Sequence, residues 1–221
     1  MKNIVVVSPH SDDETLGAGG YLLKRKAAGD NIYWINVTNV KCEYGYTIDE
    51  VKYWNNAIYK VKESFDFKDF FDLGLEPAGL DKINKSEIIQ KIKQIFEKIT
   101  PNIVLLPYYN DIHSDHKVVY DAVMACSKAF RCSSIEQILC MEIISETDYA
   151  NSDVGFVPNY YVNISNYIEK KLEILRMYDS EISVPPFPRN IETIRSLARV
   201  RGAGCYSNYA EAFRLIQYIE R

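Results

Sequence analysis

The sequence predicts an α/β fold: a Rossmann-like, three-layer α/β/α architecture with a mostly parallel central sheet, built as one domain over residues 1–221. Short β-branched runs alternate with helix-like stretches through the first two-thirds of the chain, the pattern of parallel strands connected by helices. The first run, Ile4–Val7, is apolar throughout rather than alternating, as expected of a strand covered on both faces. A length of 221 residues suits one substantial domain and is short for two.

After Ile4–Val7 as the first strand, Thr15–Ala28 has helical character and stops at Gly29-Asp30. Ile32–Val37 (IYWINV) is the second strand, Ile48–Ser64 a helix and Phe67–Leu73 a short strand. Ser86–Ile99 reads as an amphipathic helix, with Ile88, Ile92, Ile95 and Ile99 spaced by three and four and Ser86 as its N-cap. Beyond Pro101, Ile103–Leu106 is a buried strand, His116–Ala129 a helix and Ile138–Ile144 a strand. In the last third Tyr160–Ile164 alternates as a strand and Ile168–Tyr178 has helical spacing. Pro185, Pro186 and Pro188 precede a helix over Ile191–Val200, Gly202 and Gly204 interrupt it, and Ala210–Tyr218 is expected to be helical. With no repeat or low-complexity linker, this tail is expected to pack on the sheet and help wall the site.

Composition excludes several classes of function. A hydrophobic fraction of 47% and a charged fraction of 25% are ordinary for a soluble globular protein. The net charge of −4 is spread as interleaved signs, so there is no basic footprint and nucleic acid is not an expected partner. The N-terminal MKNIVVVSPHSDDE is too short in its apolar run for a signal-peptide core, and no stretch approaches the roughly 18 apolar residues of a membrane span. A cytoplasmic protein is expected. Five cysteines (Cys42, Cys126, Cys132, Cys140 and Cys205), odd in number and without a CxxC pair, argue against a disulfide framework or a thiolate zinc site. The 17 tyrosines are accounted for by half-buried packing.

Chemistry concentrates in two segments, SPHSDDE (Ser8–Glu14) and HSDH (His113–His116), which follow the strands Ile4–Val7 and Ile103–Leu106. Ligands of open α/β sheets bind beyond the carboxyl ends of strands, so both loops are expected to face one crevice. They also hold all three histidines of the chain. Imidazole and carboxylate without thiolate suit zinc, which in catalytic sites takes three protein ligands and a water. Hydrolysis needs in addition a base for the water and a cationic group for the oxyanion. His10, Asp12, Asp13, Glu14, His113, Asp115 and His116 are enough for all these tasks, although spacing alone does not divide them. Gly17, Gly19 and Gly20 lack the GxGxxG spacing of a dinucleotide site and read as helix–sheet packing.

These motifs resemble those of the zinc-dependent N-acetylglucosamine deacetylases, the PIG-L or LmbE-like family, with its PHPDDE-type and HPDH-type signatures. Here the positions read Pro9-His10-Ser11-Asp12-Asp13-Glu14 and His113-Ser114-Asp115-His116, and the segment from Arg201 through Tyr209-Ala210-Glu211-Ala212-Phe213 also looks like the family's ending. The resemblance implies the deacetylase fold of that family and Zn²⁺ (or Fe²⁺) on His10, Asp13 and His116. It implies Asp12 as general base, His113 as the charged group that stabilises the oxyanion, and Asp115 as the partner keeping His113 protonated. The implied substrate is a small-molecule N-acyl sugar or glycoconjugate, with no membrane span, and a homo-oligomer is compatible with it.

The chain departs from the family pattern at Ser11 and Ser114, where proline is usual. Serine loosens the loop without removing a ligand. An arginine common after the second strand is missing from Val40–Gly45, and Ile112 stands where a basic residue sometimes occurs. Lys41, Glu43, Tyr109 and Asp111 are the polar candidates at the mouth, Glu14 is expected to be structural, and Glu211 has no assigned role. Two alternatives stay open: an amidase acting on another N-acyl amine or thiol conjugate, and a metal- or carbohydrate-binding protein without turnover.

Overall fold

A computed structural model describes residues 1–150 and 152–220. One seven-stranded sheet runs in the order β3-β2-β1-β4-β5-β7-β6. Its left half comprises β1 (Asn3–Ser8), β2 (Asn31–Thr38) and β3 (Asp69–Leu75); its right half comprises β4 (Ile103–Leu106), β5 (Gln137–Met141), β6 (Tyr160–Asn163) and β7 (Ala210–Tyr218). The pairs among β1 to β5 are all parallel, and β7 lies antiparallel between β5 and β6. The helices are α1 (Asp13–Ala27), α2 (Ile48–Phe65), α3 (Lys85–Ile99), α4 (Ser114–Cys126), α5 (Ile168–Leu175) and α6 (Ile191–Ala203). None among the described residues is long and apolar enough to cross a membrane.

The continuous apolar runs make sense because the sheet has a core on each face. Alternate residues of a strand point to opposite sides. Ile4 and Val6 of β1, with Ile32 and Trp34 of β2, pack beneath α1, α2, α5 and α6. Val5 and Val7, with Ile35 and Val37, pack beneath α3 and α4. The result is the expected three-layer α/β/α sandwich.

Most predicted elements occur within a few residues of their expected bounds, with two local differences at helix starts. Helix α4 starts at Ser114 rather than His116, with His113 as its N-cap. The cap of α3 is Asn84, whose side chain accepts the Ser86 N–H at 3.1 Å. The larger correction is Ala210–Tyr218, which is strand β7 and not a helix. Its apolar residues fit either period. Pairing with β5 on one side and β6 on the other satisfies its backbone on both edges, so tertiary context decides.

Helix α1 leads from the first motif and is packed unusually close to its surroundings. A Cβ at Gly17 would stand 2.7 Å from Met141 Cβ, and one at Gly20 would stand 2.7 Å from Ile164 Cδ1. A buried ion pair is inserted at the same level. The Glu211 carboxylate accepts the N–H groups of Gly20 and Tyr21 at 2.8 and 2.6 Å and the Lys171 ammonium at 2.7 Å. Lys171 also donates to Leu16 O at 2.7 Å, the carbonyl a regular helix would pair with the Gly20 N–H. Glu211 and Lys171 thereby fix the middle of the helix whose first turn carries Asp13. Removing one partner of a buried pair strands the other charge at a cost of about 3–5 kcal/mol. Glu211→Ala is expected to lower the melting temperature by roughly 10 °C; a shift of about 2 °C or less in thermal unfolding would show that the pair contributes little.

Candidate metal centre and active-site cleft

Strands β1 and β4 are parallel neighbours, with Ile4 opposite Ile103 and Val6 opposite Leu105. Their carboxyl ends therefore deliver the two motifs to one place, at the point where the strand order reverses. Thr38 at the end of β2 ties down the first loop, donating from its N–H and its Oγ1 to Pro9 O at 3.0 and 2.7 Å.

His10, Asp13 and His116 converge. Asp13 Oδ2 lies 3.5 Å from His10 Nδ1 and 3.4 Å from His116 Nε2, and it accepts the His10 backbone N–H at 2.9 Å. Each imidazole also has a carboxylate behind it. His10 Nε2 faces Asp115 Oδ2 at 3.2 Å, and His116 Nδ1 faces Asp111 Oδ2 at 2.8 Å. This is the arrangement in which a carboxylate orients a ligating histidine and raises its basicity. Among the described residues two groups can hold a metal ion by proximity, His10–Asp13–His116 and His10–His113–Asp115. The first is the better fit: His116 Nε2 is buried and without a hydrogen-bond partner, whereas the Asp115 carboxylate is already occupied by the N–H groups of Ala78 and Leu80 at 2.7 and 3.1 Å. A buried orphan nitrogen facing a carboxylate fits a cation between them.

Charge is distributed to match. Burial lowers the pKa of His10, but the bonds to Asp115 and Asp13 outweigh it and push it up to about 9. Burial likewise opposes the protonation of His116, and the charge of Asp13 with the bond to Asp111 raises it to about 10. Burial alone would raise Asp13, yet the His116 and His10 imidazoles hold it well below the usual carboxylate range.

Asp12 occupies a strained position. It precedes α1 with φ 136°, a positive value that non-glycine residues rarely adopt. Its N–H is held by Glu14 Oε2 at 3.0 Å, and Glu14 is itself fully buried and bonded to the Tyr178 hydroxyl at 3.0 Å. Burial pushes the Glu14 pKa up to about 7. Glu14 is thus the anchor of the loop. Burial and the adjacent Asp13 raise Asp12 well above the ordinary carboxylate range, partly opposed by Arg189, whose Nη1 lies 3.2 Å from Asp12 Oδ2.

The expected pairing of the Asp115 carboxylate with His113 is replaced by another contact. Asp115 gives His113 its backbone N–H, which donates to Nδ1 at 3.1 Å as the cap of α4. Its carboxylate turns to His10 instead. Since Nδ1 accepts, the neutral ring carries its proton on Nε2. Burial, joined by the neighbouring His10, lowers the His113 pKa despite Asp115.

A cavity of about 360 Å³ opens beside these groups, lined by His10, Asp12, Asp13 and His113 together with Trp54, Glu146, Glu181 and Arg189. Sequence reasoning missed the last four. Arg189 bridges Asp12 and Glu181, with Nη2 3.2 Å from Glu181 Oε2, and sits in the proline-rich PPFPRN segment after α5. A lone arginine among prolines was the only local signal. Of the other mouth candidates, Asp111 is buried behind His116, Glu43 pairs with Lys41 at 3.3 Å on the surface, and Tyr109 stacks against Tyr108 and Tyr120.

The sequence profile of the PIG-L family, described as GlcNAc-PI de-N-acetylase, matches residues 5–127. Diacetylchitobiose deacetylase of Thermococcus kodakarensis is 25% identical over 242 aligned positions, spanning 98% of this chain and 84% of that protein. Among solved structures, a conserved protein of Thermus thermophilus superposes with a TM-score of 0.78 at 22% identity, over 100% of this chain and 97% of that one. The N,N'-diacetylchitobiose deacetylase from Pyrococcus horikoshii gives a TM-score of 0.75 at 21% identity, over 98% and 84% respectively. At these identities the two structures share the fold with this chain.

Two measurements follow from the geometry. With His10 raised to about 9 and His116 to about 10, both rings are protonated near pH 7 and must lose a proton to ligate. Zn²⁺ uptake at pH 7 is therefore expected to release about two protons, and affinity to rise with pH up to that range. Calorimetry in buffers of different ionisation enthalpy reads this, and uptake without proton release would contradict it. Asp111→Asn removes the carboxylate behind His116 and is expected to weaken Zn²⁺ binding by about 10- to 100-fold in a chelator competition.

Proposed function

The chain belongs to the PIG-L family, and from that premise we propose that it is a metal-dependent N-deacetylase, hydrolysing the acetamide of an N-acetylglucosamine-type sugar, glycoside, glycolipid or sugar nucleotide. The observation that carries the reading is the buried, unpartnered His116 Nε2 facing Asp13, with His10 completing the set and a carboxylate behind each imidazole. His10, Asp13 and His116 hold the metal, Zn²⁺ or Fe²⁺. When bound, the ion supplies Lewis-acid chemistry, acidifying water and polarising the amide carbonyl. The kind of sugar comes from the family description and from the relatives acting on diacetylchitobiose.

The remaining steps fall to the chain's own groups. Asp12 takes a proton from the water that attacks the amide carbon, and returns it to the nitrogen as the C–N bond breaks, giving acetate and a free amine. His113, with Nδ1 occupied by the Asp115 N–H, offers Nε2–H to the oxyanion. A neutral donor suffices for this, as the pKa of His113 lies below its ordinary value. Asp115 acts through His10 and through the His113 backbone cap. Arg189 holds the Asp12 carboxylate in place between turnovers.

Acetate release from a methyl glycoside of N-acetylglucosamine by the Zn²⁺-loaded protein tests the reading, and its absence with metal bound and across glycolipid and nucleotide forms would sink it. Asp12→Asn, which tolerates the positive φ, is expected to keep the metal and lose about 10²- to 10⁴-fold in kcat. His116→Ala is expected to lose the metal. Turnover that survives in the metal-depleted His116→Ala variant would overturn the ligand assignment.

A further inference from the structure

The loop after β5 carries a carboxylate that the hydrolysis leaves unused. Glu146 lines the cavity beside the candidate metal set, and its Oε2 is buried without a hydrogen-bond partner among the described residues. The other carboxylates lining the same cavity are engaged: Asp12 and Glu181 by Arg189, and Asp13 by the two imidazoles. Arg189 is thereby committed to two acids, and among the described residues no group of the cavity wall donates a hydrogen bond to Glu146 Oε2. A buried carboxylate oxygen with no donor is costly, and one left so in a binding cavity fits a donor arriving from outside.

The backbone around Glu146 is fixed, so the side chain is presented rather than merely stranded. Its N–H donates to Ile143 O and its carbonyl accepts the Ile112 N–H, each at 3.2 Å, which ties it to the residue before His113. Ser145, just before it, has φ 75°, a left-handed turn held by the same bonds and by the Ile143 N–H donating to Thr147 Oγ1 at 2.9 Å. Glu146 therefore keeps a set position relative to the second motif.

Resting on the deacetylase reading, we propose that Glu146 is a binding and specificity residue: it accepts a hydrogen bond from a ring hydroxyl of the N-acyl sugar and selects sugars by the position of that hydroxyl. Charge-assisted acceptors of this kind discriminate strongly against a substrate that lacks the donor.

A cycle between enzyme and substrate tests it. The wild type and Glu146→Ala are assayed on the methyl glycoside of N-acetylglucosamine and on its 3-, 4- and 6-deoxy analogues. One deoxy analogue is expected to fall at least tenfold in kcat/KM with the wild type, mainly through KM. Glu146→Ala should fall similarly on the parent sugar and make no further distinction for that analogue. Since Oε2 bonds nothing among the described residues, the variant should retain its metal and melt no lower than the wild type. Penalties that persist unchanged in Glu146→Ala, or a wild type indifferent to every deoxy position, would overturn the proposal. If no sugar releases acetate, the deacetylase reading fails. The same cycle measured as binding of the corresponding glucosamine glycosides by calorimetry then decides Glu146 by the same criteria.

Discussion

Because β1 and β4 lie side by side in register, two loops far apart in the chain leave the sheet about 5 Å from each other. His10 and Asp13 come from one loop and His116 from the other, so the candidate metal set comes together only through this strand pair. The buried runs Ile4–Val7 and Ile103–Leu106 are what hold it, since slipping either by one residue would turn its side chains to the opposite core. Stability and site geometry are thus carried by the same ladder.

Around that junction the polar groups form two shells that divide labour. Asp13 and the imidazole nitrogens facing it form the inner set, while Asp111 and Asp115 fix the far nitrogens. Backbone N–H groups from Ala78 and Leu80 anchor Asp115 in turn, which links the segment after β3 to the centre. Arg189 reaches the same cleft from the C-terminal third of the chain. Glu211 and Lys171, also from that third, brace α1 from behind. The tail is therefore part of the site's construction as well as a cover for the sheet.

Much of this was legible in the sequence where local pattern and tertiary demand agree. Ile4–Val7 and Ile103–Leu106 are apolar on both faces because both faces are buried, and the motif loops had to follow them. Ala210–Tyr218 was misread because its apolar spacing suits a helix as well as a strand, and only its two neighbours choose between them. Arg189, Glu181 and Glu146 lie in irregular segments with no periodicity to place them, so only the folded chain brings them to the cavity. His113 shows a subtler limit: the family resemblance implied a charge pair with Asp115, whereas the geometry of a helix start puts the backbone N–H of Asp115 on its Nδ1.

The positive φ of Asp12 gives the first motif a narrower alphabet than its chemistry requires. Base chemistry would accept any well-placed carboxylate. With φ 136° and ψ −29° the backbone lies outside the usual left-handed basin and is strained for any residue but glycine, so a short side chain is the least burdened, and of the short residues only aspartate is acidic. Two independent filters, one steric and one chemical, thus leave a single residue type at position 12. A glutamate there would keep the charge but add a longer side chain to an already strained backbone and carry its carboxylate one methylene further from its place, and Glu14 is bound to the same backbone through the N–H it holds.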